Sequence, residues 1–324
     1  PLYDLRKDST AGGSGAHRWN DPSTWAATEN LMVIAYNVMR GITLPCGSVW
    51  GGGYPAEDLP YQERTAAMDA CDLGVGGNLR PQFRGGMEIR FEEAPADFLE
   101  EVFASANAEI LELGGYWYPL VGSENTIAAD LTEGDLLVSE GWKHDPFPGV
   151  EHAYNAVTVT HTSPNALWNP AAPITLTRPA WEDEDGGQRM FSLKLPMVFN
   201  GQQARQLGSA LLKENRRFRT HRLPLPPEFS RLRPLLKIRL TSDWYGYAAK
   251  TFSITEMAFD LLTLNVSVSL REWDHSDFDP DLALEIPDSP QVTSPIVVED
   301  AGVPGFGVSG VEIKDANGVV RGVG

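Results

Sequence analysis

The stretch of sequence that decides how this chain folds is LYDLRKDSTAGGSGAHRWNDPSTWAATENLMVIAYNVMRG, residues 2–41. It predicts an extended arm, a glycine- and serine-rich loop, a turn anchored by Trp25, and then a helix. The helix begins at about Asn30, with that residue or Thr28 as its cap, and it ends at the closing glycine, which tolerates a left-handed backbone. Almost every side chain in between is apolar, so we expect this helix to be buried on most sides.

The arm, residues 2–16, has few apolar side chains, and Gly12, Gly13 and Gly15 make its loop flexible. A stable independent fold is therefore not expected of it. We predict that both ends of the arm are fixed and that a neighbouring chain orders the loop between them. This is a binding role rather than a catalytic one.

Length and composition are those of a folded protein. A chain of 324 residues is long enough for two domains with their own cores, and 42% apolar and 22% charged residues are typical of such domains. No apolar run approaches the roughly 18 residues that cross a bilayer. The net charge of −18 argues against a general nucleic-acid binder, since phosphate attraction needs a cationic surface. Without a signal peptide or an initial methionine, we expect the ordered part of a longer polypeptide, or a processed one.

The residue patterns predict an α+β fold whose first domain, residues 1–130, is mixed α/β and carries the N-terminal arm. After the first helix, helices are predicted at Tyr61–Cys71 and from Pro95 onward. A strand is predicted over Met87–Phe91, and Gly114-Gly115 predicts the turn of a β-hairpin.

Residues 131–280 are predicted to form a β-rich domain, because apolar and polar side chains alternate in several runs. One helix interrupts the strands, with Asn200 and Gln203 as its capping pair. A small sandwich or partly closed barrel with one packed helix suits this order. Residues 281–324 are predicted to be a proline- and glycine-rich linker or the start of another β domain.

Charge is distributed unevenly along the sequence. Residues 201–250 contain eleven bases and only three acids, whereas the rest of the chain is strongly acidic. This asymmetry favours charge-complementary docking between copies or with neighbours, and the alternative is one solvated basic face. The bases are Arg205, Lys213, Arg216, Arg217, Arg219, Arg222, Arg231, Arg233, Lys237, Arg239 and Lys250.

No pattern predicts a catalytic, cofactor-binding or metal-binding residue. The glycine-rich run at residues 74–77 lacks the strand and lysine of a phosphate-binding loop. The acidic run Asp274–Asp281 lacks the glycine and distal glutamate of an EF-hand, so we expect a solvated loop. Trp181–Gly187 is predicted as an acidic hairpin tip, and the six histidines show no zinc spacing. Cys46 and Cys71 are expected to be free, packed thiols.

Four short motifs follow one another along the chain: Tyr3-Asp4-Leu5-Arg6, Asp21-Pro22-Ser23-Thr24-Trp25, Ala66-Ala67-Met68-Asp69-Ala70-Cys71-Asp72 and Pro146-Phe147-Pro148-Gly149. In this order they resemble the central region of phage tail-tip proteins of the lambda host-specificity (J) type. Similar regions occur in phage-like gene transfer agents. The sequence departs from the family in two places. Leu5 stands where the family has proline, and Asn30-Leu31 replaces the usual asparagine-proline at the helix start.

The resemblance implies a structural baseplate hub at the tail tip of a virion, assembled in the host cytoplasm, and not an enzyme. Three copies would surround the tail axis, join the tube to the host-recognition tip and enclose the channel through which DNA leaves. It implies a tail-tube-like fold for the β-rich domain and a fibronectin-like domain after residue 280. The implied partners are further copies of the chain, other distal tail and tail-tip proteins, the ejected DNA in passing, and a host receptor bound through other parts of the full-length chain.

The side chains expected to contact other chains are Arg6, Lys7, Trp25, Arg216, Arg217 and Arg219. The competing hypothesis is a carbohydrate-binding or cell-wall-degrading tail enzyme that uses acids such as Asp183 or Glu184 together with surface tryptophans. The enzyme predicts turnover of envelope polysaccharide, whereas the hub predicts oligomers with a large buried area. No cofactor is expected for either.

Overall fold

The computed structural model describes residues 1–44, 46–75, 80–89, 92–122, 126–147 and 153–279, and two short strands beyond them. The chain divides into two compact units, residues 1–289 and 290–324. The helices are α1 Leu31–Arg40, α2 Tyr61–Asp72, α3 Pro95–Ser105, α4 Pro179–Asp185 and α5 Gly201–Asn215. The strands are β1 Ile42–Thr43, β2 Val49–Trp50, β3 Gly74–Val75, β4 Arg80–Pro81, β5 Ala108–Leu113, β6 Tyr116–Val121, β7 Ile127–Thr132, β8 Lys143–Asp145, β9 Ala156–Ser163, β10 Asn169–Pro170, β11 Ile174–Thr177, β12 Met190–Leu195, β13 Thr220–Leu225, β14 Lys237–Ser242, β15 Tyr247–Phe259, β16 Val266–Glu272 and, in the second unit, the antiparallel pair β17 Glu312–Lys314 and β18 Val320–Val323.

Helix α1 forms the centre of the first core, as its sequence predicts. The Asn30 side chain caps it by accepting hydrogen bonds from the amides of Met32 and Val33, and Gly41 ends it at φ +92°. All residues from 31 to 39 are buried. Because no face of α1 is left for water, the rest of this core is assembled around it.

Three local predictions are wrong. Residues 87–89 form no strand, and residues 90–91 lie outside the described residues. The chain just before them is held by hydrogen bonds from the Gly85 amide to the Glu29 carbonyl and from the Gly86 amide to the Met197 carbonyl, rather than by a neighbouring strand. The acidic hairpin tip is helix α4, which starts at a proline and ends at a glycine in the left-handed conformation. Cys46 is exposed and only Cys71 is buried.

The sheets confirm the α+β class. The larger one has six strands in the order β7-β14-β15-β16-β13-β8, with β7 parallel to β14 and all other neighbours antiparallel. Its buried face follows the predicted alternation, for example at Val266, Val268 and Leu270 of β16. In the described part of the chain this sheet is not closed into a barrel, and β7 and β8 are its edges.

A smaller sheet carries helix α5. Strand β9 pairs with β11 and β10 antiparallel and with β12 parallel. Helix α5 lies against β9 so closely that a Cβ at Gly208 would come within 2.6 Å of the Val159 side chain. The Asn200 side chain caps α5, but Gln203 binds the Arg84 amide and the Ser105 carbonyl instead of completing the predicted capping pair.

The first core takes in residues from Tyr3 to Leu212, including side chains of β9, β12 and α5. Hydrophobic packing therefore crosses residue 130, where the sequence predicts a domain boundary. The boundaries at residues 130 and 280 remain predictions, and residues 280–311 lie outside the described residues.

Candidate interaction surfaces

The N-terminal segment, residues 1–29, packs against its own chain through buried hydrogen bonds. The Asn37 side chain of α1 accepts from the Tyr3 amide at 3.1 Å and donates to the Tyr3 carbonyl at 2.8 Å, and the Asp4 amide donates to His17 Nδ1 at 3.1 Å. Within the loop, the amides of residues 13, 14 and 17 donate to the carbonyls of residues 8, 6 and 7. The prediction that a neighbouring chain orders this loop is wrong, because its own backbone and buried side chains already do so.

Tyr3 and Asp8 form the buried centre of the N-terminal segment. The Tyr3 hydroxyl donates to Asp8 at 2.7 Å, and Thr10 donates to Asp8 through its amide and its hydroxyl at 2.8 and 2.6 Å. Burial opposes ionisation of Asp8, but these bonds and Arg18 outweigh it and lower the Asp8 pKa to about 2. Burial and the bond to Asp8 raise the pKa of Tyr3. Both groups therefore keep one protonation state through the neutral range.

Arg6 and Lys7, both expected at an interface, differ in their ion pairs and in their exposure to solvent. Arg6 forms ion pairs with Asp4 at 3.0 Å, Asp69 at 2.8 Å and Asp72 at 2.9 Å, which tie the segment to α2. Lys7 lies 3.7 Å from Asp4 and its side chain is 54% exposed. Of the two, only Lys7 presents its charge mainly to solvent.

Trp25 belongs to an aromatic cluster with Tyr3, Trp19 and Tyr36. Its indole N–H donates to the Arg18 carbonyl at 2.8 Å, and its ring lies 5.7 Å from that of Trp19. Tyr3 contacts all three other rings. This confirms the anchoring role expected of Trp25, while its predicted contact with another chain remains a prediction.

A cavity of about 720 Å³ opens beside this aromatic cluster. Arg40 lies in its wall, with its guanidinium carbon 4.3 Å from the Trp19 ring centre and its Nη1 donating to the Tyr36 hydroxyl at 3.1 Å. Within the described residues, no carboxylate forms an ion pair with Arg40. The cavity thus combines an apolar aromatic wall with a positive charge.

Arg216, Arg217 and Arg219, hereafter the arginine cluster, follow helix α5 and bind acids of their own chain. Arg216 pairs with Asp185 and Glu184 of α4 at 2.8 and 2.7 Å. Arg217 holds Asp277 through two hydrogen bonds of 2.7 Å, and lies 3.6 Å from Glu272. Arg219 lies 3.5 Å from Glu272 and stays 47% exposed.

Acids of both segments with candidate chemistry, α4 and the run from Asp274, bind arginines of the same chain. Glu184 of α4 is ion-paired with Arg216 and its side chain is 64% exposed, and Asp183 beside it is exposed as well. Asp277 of the acidic run is buried against Arg217. Among the described residues, no group of three or more histidine, cysteine or acidic side chains is placed to hold a metal ion. Asp281 of the same run lies outside the described residues.

The structure brings together two histidines that the sequence leaves apart. His144 of β8 is paired in register with His221 of β13, and their rings stack with centres 4.2 Å apart. His221 is buried, and its Nε2 lies 3.0 Å from the Tyr247 hydroxyl. Burial and the neighbouring His144 lower the pKa of His221 to about 4. No spacing rule finds this pair, because it depends on the register between distant strands.

A further surface is the loop that joins β15 to β16. It exposes four large apolar side chains in six residues: Phe259, Leu261, Leu262 and Leu264. Three leucines in a hairpin loop depart from the polar composition usual for turns, and that departure is the signal by which the sequence could have revealed this surface. In the part of the chain that the structure describes, no helix is both long and apolar enough to cross a membrane.

A family model described as a putative phage tail protein matches residues 94–257, from the start of α3 into β15. No curated protein sequence matches the chain. Among solved structures, it is similar to a chain in the virion of a native gene transfer agent particle, with 20% identity and a TM-score of 0.48. That match covers 60% of this chain and 42% of the other.

Two bacterial proteins are also similar. The tail protein from Neisseria meningitidis MC58 has 14% identity and a TM-score of 0.44, over 67% of this chain and 68% of that one. The 43 kDa tail protein of prophage MuSo2 from Shewanella oneidensis has 14% identity and a TM-score of 0.41, over 60% and 58%. The chain thus spans less than half the length of the gene transfer agent protein and somewhat more of the other two.

Proposed function

The chain belongs to the family of putative phage tail proteins, whose model covers half of its length, and we propose that it is the structural baseplate hub of a tail tip. Three copies surround the tail axis, join the tube to the host-recognition tip and enclose the channel through which DNA is ejected. The particle is a phage or a phage-like gene transfer agent, assembled in the host cytoplasm. Other distal tail proteins are its partners, and a host receptor is bound through other parts of the full-length chain.

The observation that carries this proposal is the open six-stranded sheet. Its edge strands β7 and β8 have one neighbour each in the described part of the chain. The outer edge of such a strand offers backbone donors and acceptors to a further strand, and proteins that stay monomeric usually protect it. Pairing between copies would continue the sheet from one subunit to the next and build a wall around the axis.

The charge of the chain is consistent with a channel that releases DNA. A net charge of −18 repels phosphate, and the arginine cluster is already paired with acids of the same chain. A wall that DNA must slide past works best when it does not bind it. We therefore propose transient contact with DNA and no stable complex.

The domain layout is part of the proposal. Residues 1–130 form the mixed hub domain, residues 131–280 the tube-like hub domain, and residues 281–324 a linker or the first part of a fibronectin-like domain. Of the side chains expected at interfaces, Lys7 and Arg219 are the most exposed and are proposed as contacts with neighbouring chains. Arg6, Trp25, Arg216 and Arg217 bind groups of their own chain and are proposed as contacts with neighbouring chains as well.

An image of the particle tail with this protein labelled tests the proposal. We expect density for the label at the distal end of the tail, arranged with threefold symmetry around the axis. A label on the tail side, away from the axis, would contradict the hub.

The competing enzyme is tested separately by incubating the chain with host envelope polysaccharide. We expect no turnover, and turnover abolished by Glu184→Gln would favour the enzyme.

A further inference from the structure

The loop between β15 and β16, residues 259–265, projects apolar side chains into solvent; we name it the hairpin tip. Leu261 and Leu262 are 80% and 94% exposed, and Phe259 and Leu264 flank them at 42% and 49%. Exposed apolar side chains that cluster in this way mark a contact surface.

The hairpin tip is ordered by its own hydrogen bonds. The Asp260 amide donates to the Asn265 carbonyl at 3.0 Å, and the Leu264 amide donates to the Asp260 carbonyl at 2.8 Å. The Asp260 carboxylate accepts from the Leu262 amide at 2.8 Å and from the Thr263 hydroxyl at 2.9 Å. Because the backbone is fixed in this way, little conformational entropy is left to lose when the leucines are buried.

The cavity beside the aromatic cluster has the complementary properties. Its wall includes the rings of Trp19, Tyr36 and Tyr61, and Arg40 lies on the first two of these rings. Asp8 and Arg18 in the same wall pair with each other at 3.0 Å, and Glu57 is exposed. Arg40 is half-buried, and no carboxylate of the described residues pairs with it, so among the cations of this cavity it is the one left to bind a carboxylate from outside.

We propose that the hairpin tip of one copy inserts into the aromatic cavity of a second copy, with Leu261 and Leu262 against the rings and Asp260 facing Arg40. The pairing matches apolar surface with apolar surface and acid with base. Tip and cavity are different patches of the same chain, so the contact is head-to-tail and closes into a ring when the rotation allows. It deepens the self-association within the proposed function, but does not depend on where in the tail the ring lies.

A lipid surface is the competing partner for exposed leucines, and the charges disfavour it. Asp260 lies between Phe259 and Leu261, and the hydrogen bonds from Leu262 and Thr263 lower its pKa, so it stays ionised. Glu256 is exposed on the adjoining strand. Carrying a carboxylate into an apolar layer without a cation is costly, whereas the cavity supplies one.

Sedimentation velocity over a concentration series tests the proposal on the purified chain. We expect reversible self-association that Leu262→Ser weakens by about tenfold or more, since a buried leucine anchor contributes at least that much. Val138→Ser is the matched control, because Val138 is 88% exposed at another site. Wild-type chain that stays monomeric, or equal association of both variants, would overturn the proposal.

A double-mutant cycle tests the contact between Asp260 and Arg40. Asp260→Asn retains a side-chain oxygen for the tip. Arg40→Gln removes a cation from the Trp19 ring and from the end of α1, so association of each variant is measured at a temperature at which its own melting curve shows it folded. Each variant is expected to weaken association about fivefold. The double variant is expected to associate about as strongly as either single variant, because the contact is already lost in each of them. Effects that multiply in the double variant would mean that the two residues do not meet.

Binding of the wild-type chain to uncharged phosphatidylcholine vesicles, lost in Leu262→Ser, would assign the tip to a membrane instead. A negative result in either experiment leaves the tail position to be decided by imaging.

Discussion

The N-terminal segment and the arginine cluster are both bound to the rest of their own chain, but the groups that anchor them lie at different depths. In the N-terminal segment, the fully buried Asn37 side chain binds both polar groups of the Tyr3 backbone. Asp4 and Asp8 are each 4% exposed and accept from amides and hydroxyls as well as from arginines. In the arginine cluster, Arg216, Arg217 and Arg219 are 16%, 26% and 47% exposed and bind other charged side chains.

The difference in depth determines what water can replace. A backbone group that loses a buried partner remains unsatisfied, because no solvent reaches it. An arginine that loses one of several partially exposed partners retains the others and gains water. We therefore expect the N-terminal segment to be sensitive to single substitutions, and the arginine cluster to be more tolerant.

The largest effect is expected for Asn37→Ala. This fully buried side chain holds both polar groups of the Tyr3 backbone and also donates to the Val33 carbonyl. Its loss leaves two buried groups of Tyr3 without partners, at a cost of about 3 kcal/mol in the free energy of unfolding. Urea denaturation measures this value, with the exposed Asn20→Ala as control. Equal effects at the two positions would refute the buried anchor.

A smaller effect is expected for Asp277→Ala. Asp277 is 5% exposed and holds Arg217 through two short hydrogen bonds, but Arg217 also reaches Asp274 and Glu272 and is partly solvated. The expected loss is about 1–2 kcal/mol by urea denaturation. Asp279→Ala, an exposed neighbour, should change nothing measurable. A loss as large as that of Asn37→Ala would erase the contrast between the two regions.

The strand that follows the arginine cluster should respond to pH. Burial lowers the pKa of His221 to about 4, so the folded chain keeps this imidazole neutral while the unfolded chain binds a proton below about pH 6.5. The contribution of His221 is complete above that pH and is lost as the pH falls toward 4. Between pH 7 and pH 5 we expect a loss of about 1–2 kcal/mol. In His221→Phe, urea denaturation at the two pH values should show a smaller difference, and an unchanged difference would contradict the assignment.

The smallest effect is expected for Asp130→Asn. This residue joins β7 to β14 through an ion pair with Arg239, but the two side chains are 63% and 44% exposed. Exposed pairs of this kind contribute little, and salt screens them. Thermal melting in low and high salt should give the same result for the variant and the wild type. A clear shift in melting temperature would show that burial of the side chains does not decide how much a contact contributes to stability in this chain.

Local signals predicted the elements whose partners lie nearby in sequence. Asn30 and Gly41 delimit α1, Pro95 begins α3, and Gly114-Gly115 joins β5 to β6, each at the predicted place. These signals work because capping and turn chemistry act over a few residues.

The sequence patterns do not predict contacts between residues that are distant along the chain. The low apolar content of residues 2–16 predicted a loop that needs a neighbour, but Tyr3 and Asp8 are ordered by groups on distant residues such as Asn37. His144 and His221 meet only through strand register. The hairpin tip does carry a local signal, because three leucines in a short loop between two strands depart from the polar composition of turns.

The unequal burial of the two cysteines makes the chain a reporter of its own opening. Cys46 is exposed, and its hydrogen bond with Ser48 lowers its pKa, which favours the reactive thiolate. Cys71 is enclosed in the first core, where burial raises its pKa to about 12. A thiol reagent should therefore modify one site per folded chain quickly and the second only when α2 separates from α1. The slow phase of that reaction times the opening of the first core without any engineered label.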